Sequence, residues 1–175
     1  GDLPGPVRVT ISILAHDEKT GVCGGAAATG SLCVGGWVLR GHAESGMSAS
    51  QGTAPSTLWG DEVLDCMKGG ASAEDAVAKV VAEDPGAAHR QLAALDLRGG
   101  VAAHTGSQSV PSAGARTGPG IVVAGNMLAS EKVLDAAMEG YATATGAFAD
   151  RLIAALRAAE AAGGDSRGLL SAALL

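Results

Sequence analysis

An acid and an arginine stand two residues apart in Gly163-Gly164-Asp165-Ser166-Arg167-Gly168, just after a long alanine-rich segment. A carboxylate and a guanidinium on a glycine-punctuated turn are placed to bind or orient a polar ligand, because such turns run over the surface between rigid elements. The same two residues can simply pair with each other after a helix stop. The other polar groups of chemical interest sit in apolar, strand-like surroundings: Thr10 and Ser12, Gln51, His104-Thr105 and Asn126. Their hydroxyls and carboxamides can act as nucleophiles or hydrogen-bond donors, or can merely satisfy a sheet. His16, His42, His89 and His104 show no metal-ligand spacing such as HExxH, and Cys23, Cys33 and Cys66 form no CxxC. No metal site is expected. Gly24-Gly25 lies inside a strand-like stretch, and neither GxGxxG nor a phosphate-binding loop occurs, so no cofactor is expected either.

The elements that must position these groups belong to one domain of 175 residues, long enough to bury most of its apolar surface. The reading is a leader over residues 1–9 and a single domain over 10–175, truncated at its C-terminal end. Twenty-seven glycines are roughly double the usual ~7%, and aromatic residues are 2%. A core of Ala, Val, Leu and Gly lets layers approach closely. A net charge of −6 with so few aromatics argues against nucleic-acid binding. No apolar run reaches the ~18–20 residues of a membrane span. Three reduced thiols and the absence of a signal-peptide pattern point to the cytoplasm. The partners expected are a small-molecule or peptide-like substrate and a second copy of the chain in a homo-oligomer.

Alternation predicts a strand from Val7, with Val7, Val9, Ile11 and Ile13 on one face and Arg8, Thr10 and Ser12 on the other. Lys19-Thr20-Gly21 turns it into a second strand near 22–28, and extended segments are expected near 33–39 and 46–51. Helices are predicted over 61–68 and from an N-cap at Ser72 to Pro85-Gly86. A hairpin follows at 91–97 and 101–105, then a short strand at 121–124. Two more helices run over 131–139, with Ser130 as N-cap, and 148–162, before a last apolar segment from Ser171. Antiparallel hairpins interrupted by helix pairs indicate a layered α+β fold.

Thr10-Ile-Ser-Ile-Leu-Ala-His-Asp17, Ser50-Gln51, Arg90-Gln91, Gly125-Asn126-Met-Leu128, Arg151-Leu152 and Gly163-Gly-Asp-Ser-Arg-Gly-Leu-Leu-Ser-Ala-Ala173 occur in this order. Together they resemble the bacterial and archaeal family known as domain of unknown function 1028, from Thr10 to nearly the end of the chain. That family is grouped with the N-terminal nucleophile (Ntn) hydrolases, so the resemblance implies a four-layer αββα sandwich and hydrolysis of a small amide or peptide-like bond. It makes Thr10 the nucleophile once its amine is free, the amine itself serving as base. Asn126 and Gln51 become candidate oxyanion donors. Asp165 and Arg167 would orient the amine or hold a substrate carboxylate, and Thr105 would line the substrate site. Ser12 is the fallback nucleophile. Nine residues precede Thr10, and the chain reads Thr29-Gly30-Ser31 where family members carry a lysine. Those two departures keep open an alternative: a non-catalytic small-molecule-binding or assembly module on the same fold.

Overall fold

Alternation along the first strand sets the architecture. In the computed structural model, which describes residues 10–109, 112–164 and 169–175, β1 runs from Thr10 to Asp17. Ile11, Ile13 and Ala15 point to one side, into a core with helical residues Val133, Leu134, Ala137, Leu152 and Ala155. Leu14 points to the other, into a core shared with a second sheet. Thr10 and Ser12 are in phase with Leu14 and therefore face that second sheet. The predicted start at Val7 lies outside the described residues.

β1 pairs antiparallel with β2 (Val22–Thr29), which opposes Thr10 to Thr29, and with β8 (Ile121–Asn126), which opposes it to Asn126. With β7 (Gly114–Gly118) and β9 (Ser171–Leu174) these make a sheet of order β7-β8-β1-β2-β9. The second sheet is β3-β4-β5-β6, from Leu39–His42, Gly46–Gly52, Arg90–Asp96 and Val101–Thr105. It too is antiparallel throughout.

Helices α2 (Trp59–Lys68) and α3 (Ala73–Ala82) cover the outer face of the second sheet through Trp59, Val63, Val77, Leu92 and Ala94. Helices α4 (Lys132–Thr143) and α5 (Phe148–Ala161) cover the outer face of the first. The chain is thus an α+β sandwich of two antiparallel sheets, with helices on both outer faces and five helices among the described residues. Small residues make the layers thin. A Cβ on Gly140 of α4 would stand 2.6 Å from the Ala158 Cβ of α5, and one on Gly24 would stand 2.8 Å from the Phe148 ring.

Three expectations are corrected. The segment 33–39, expected to be extended, contains α1 (Val34–Trp37) before β3 begins. Cys33 enters this helix with φ 61, and Val34 N–H donates to Ser171 Oγ on β9. Gly35 packs where a Cβ would meet Ala173 at 2.8 Å, so a strand 137 residues away fixes this turn. Ser130 does not cap α4. Glu131 is its N-cap residue without a side-chain bond, and the Ser130 carbonyl accepts from Val133 N–H. β7, glycine-bounded and polar, was not anticipated; it is an edge strand held by β8. Ser72 does cap α3, accepting from Asp75 N–H at 3.1 Å.

Candidate functional site

Thr10, Gln51, Gln91, Thr105 and Asn126 come from five strands of two sheets, yet register and pleat bring them to one place. Gln51 opposes Gln91 across β4 and β5, and Gln91 opposes Thr105 across β5 and β6. Each is in phase with neighbours that build the inter-sheet core: Ala49, Ala93, Ala103 and Ala124. All therefore face the interior, at the end of the sandwich where β1 begins.

Gln91 is the hub. The two hydrogens of its Nε2 are shared among three acceptors: Thr105 Oγ1 at 2.9 Å and, across to the first sheet, the carbonyls of Gly114 at 2.9 Å and Gly125 at 3.0 Å. Carbonyls only accept, so these two contacts fix which end of the amide is nitrogen. Gln91 Oε1 must then be the acceptor for Gln51 Nε2 at 2.7 Å and for Asn126 Nδ2 at 3.4 Å. Gln51 is oriented in turn: its nitrogen faces Gln91, and its Oε1 is buried with no donor among the described residues. A second orphan is Ser12 Oγ, fully buried one inward position along β1 from Thr10, between Ala27 and Ala124.

Thr10 is half-buried, and its Oγ1 lies 3.0 Å from Thr29 Oγ1. The inward residues at this end are hydroxyls, carboxamides, alanines and glycines. The charged neighbours turn outward: Arg90 lies 5.8 Å over the Trp59 ring, and Arg116 pairs with Asp135 and Glu131 against α4. His104 also turns outward, edge-on to Trp59, while Thr105 beside it turns in. Asp165 and Arg167 lie outside the described residues.

Asn126 is the last residue of β8 itself, and the left-handed backbone belongs to Met127, with φ 54. Gln91 is on an interior strand and ties one sheet to the other. Gln91 and Thr29 are the residues that sequence reasoning under-used. A glutamine in the apolar run Arg-Gln-Leu-Ala-Ala-Leu-Asp is a buried polar signal, and counting the first hairpin outward from its turn puts Thr29 opposite Thr10.

The opposite end of the sandwich is different. Turn residues Gly21, His42, Ala43 and Leu97, with Cys23 and Leu175, surround a cavity of about 310 Å³. Burial raises the Cys23 thiol above its ordinary pKa, with a smaller contribution from Asp96. Among the described residues, no three His, Cys, Asp or Glu side chains gather to hold a metal ion. No helix there is long and apolar enough to cross a membrane.

Fold and site define a class: a two-sheet α+β sandwich with a hydrogen-bonding cluster between its sheets that is uncharged among the described residues. Over residues 10–175 the chain matches the family of unknown function DUF1028, and it belongs to that family. A crystal structure of protein SPO2555 from Silicibacter pomeroyi, of the same family, superposes with a TM-score of 0.91 at 56% identity, covering 95% of this chain and 72% of that one. No curated protein matches.

Proposed function

We propose that the chain is an amidohydrolase of the Ntn type, built on that αββα fold and acting on a small amide or peptide-like bond. The observation that carries this reading is the position of Thr10. It is the first described residue of an interior strand, half-buried, with its hydroxyl facing the inter-sheet cluster and held at 3.0 Å by Thr29.

A threonine hydroxyl needs a base, and an α-amine with an unperturbed pKa near ~8 is substantially neutral at physiological pH. Cleavage of the Val9–Thr10 bond frees that amine on the same residue. Thr10 Oγ1 then attacks the substrate carbonyl and passes its proton to the amine, which returns it to the leaving nitrogen. Water releases the acyl group from Thr10 and restores both groups. Asn126 Nδ2, which spends only a long 3.4 Å contact on Gln91, has hydrogens for the developing oxyanion. Gln51 Nε2 spends one hydrogen on Gln91 and retains the other. Thr105 Oγ1 already accepts from Gln91 and keeps its O–H for the substrate. Asp165 and Arg167 are proposed to orient the amine or bind a substrate carboxylate.

The test is mass spectrometry of turnover-competent protein, which should show a chain beginning at Thr10, with Thr10→Ala abolishing turnover. Competent protein that retains Gly1–Val9 would remove the mechanism. The second reading, a non-catalytic binding module, draws on those nine residues, which keep the Thr10 nitrogen in a peptide bond as the sequence stands. Clear turnover in a broad amide and dipeptide screen would exclude it.

A further inference from the structure

We infer that two copies of this chain pair through one apolar side of the sandwich, with Trp37 as the anchor of a two-fold interface; the inference stands apart from the hydrolase reading. Four large apolar side chains are exposed on that side: Leu32 (71%), Trp37 (58%), Leu58 (62%) and Leu170 (66%). They come from three segments that hydrogen bonds tie together. Ser171 Oγ donates to the Ser31 carbonyl at 2.7 Å and accepts from Val34 N–H at 3.1 Å. Those two bonds bring Leu170, just before β9, to Leu32 and the start of α1. Trp37 ends α1. Arg40 then donates to the Gly36 carbonyl at 2.9 Å and lies 3.7 Å from Asp61. It joins the end of α1 to the start of α2, where Leu58 is the N-cap residue.

The fold does not use this side for packing. α1 buries Val34, and Gly35 meets Ala173 of β9, whereas Trp37 belongs to none of the three cores. It is one of only two tryptophans in a chain with 2% aromatic residues. Tryptophan is favoured as the anchor of an interface because it buries a large area while few torsions are frozen. Trp37 and the three leucines each offer on the order of 100 Å², so one copy supplies roughly 400–500 Å² of apolar surface. Two copies together approach the ~1,000 Å² that a specific interface must bury, before any polar rim is counted. Charge selects the same occupant. The chain carries −6 overall, but Arg40 and Asp61, which tie the patch together, offset each other. Like copies therefore meet here without the repulsion that the rest of the surface imposes, and a strongly charged partner gains nothing. A two-fold axis presents each patch to its own duplicate, so a self-complementary apolar surface is sufficient.

The experiment is sedimentation velocity on the full chain from about 1 to 200 µM, which should resolve a monomer–dimer equilibrium within that range. Trp37→Glu should raise the dissociation constant at least about thirtyfold, and Trp37→Phe, which keeps an apolar ring, should retain the dimer. Tryptophan fluorescence locates the contact. Trp59 is buried, so the spectrum of Trp37→Phe reports Trp59 alone and the difference from the unsubstituted chain reports Trp37. Acrylamide should quench Trp37 in dilute monomer and lose access to it as the dimer forms. If Trp37→Glu does not fold, Leu58→Glu and Leu170→Glu carry the same expectation from separate segments. A monomer at the highest concentration overturns the inference. So does a dimer that survives Trp37→Glu, or one in which acrylamide still reaches Trp37, because either places the contact elsewhere.

Discussion

Replacing Gln91 by leucine tests whether one carboxamide joins the two sheets. The side chains are similar in volume, so packing changes little, and the loss falls on the hydrogen bonds. Gln91→Leu takes one hydrogen bond each from the Gly125 carbonyl, the Gly114 carbonyl and Gln51 Nε2. A group that loses such a bond costs about 1–3 kcal/mol, so the three sum to about 3–9 kcal/mol. That is a large share of the ~5–15 kcal/mol that stabilises a typical domain. Urea unfolding followed by circular dichroism measures it directly, provided the m-value is unchanged. Gln51→Leu in the same background supplies an internal check. It removes one of the groups stranded by the first substitution, so the double variant should be more stable than the sum of the singles predicts, by about 1–2 kcal/mol. A loss below about 1 kcal/mol for Gln91→Leu, or strict additivity with Gln51→Leu, refutes the reasoning.

Ser12→Ala should be neutral or slightly stabilising, within about 0.5 kcal/mol, because its hydroxyl is buried without a partner; a cost above about 1.5 kcal/mol in urea unfolding would mean that it bonds something essential. Gln91→Glu must hold its proton to donate to the Gly125 carbonyl, so its folded pKa rises above the unfolded value near ~4.3, and stability should fall as pH rises past that value. Urea midpoints measured from pH 4 to 8 check the sign. Iodoacetamide should label exposed Cys33 at least about tenfold faster than Cys23, whose thiol burial keeps protonated, as read by peptide mass mapping. Gly106→Ala would drive a methyl into the Ala87 and Ala88 carbonyls and should cost about 2–4 kcal/mol in the same unfolding assay.

How much of this was legible before the structure depended on whether local pattern and tertiary contact agreed. The first hairpin was readable because period-two alternation and the Lys19-Thr20-Gly21 turn specify the same register. The helix over 73–82 was readable because Ser72 caps it and Val77 and Val80 bury one stripe. The segment 33–39 failed for the opposite reason: its β-branched and aromatic residues read as strand, while Ser171 and Ala173 of β9 dock on it as a helical turn. β7 was invisible because its residues carry almost no apolar signal, and only pairing to β8 makes it a strand.

The site divides along the same line. Thr10, Gln51, Thr105 and Asn126 were each named from the sequence, and their approach to one another follows from register, which alternation within a single strand does not reveal. What joins them is Gln91, which the sequence showed only as part of a hairpin strand and of the Arg90-Gln91 motif. It bonds to the backbone of the other sheet. Those two carbonyl contacts fix the Gln91 amide, the amide fixes Gln51, and the outcome is a buried oxygen with nothing to accept. A core that served packing alone would place an alanine there, as the next inward positions do at Ala49 and Ala93. Keeping an unpaired carboxamide oxygen costs stability.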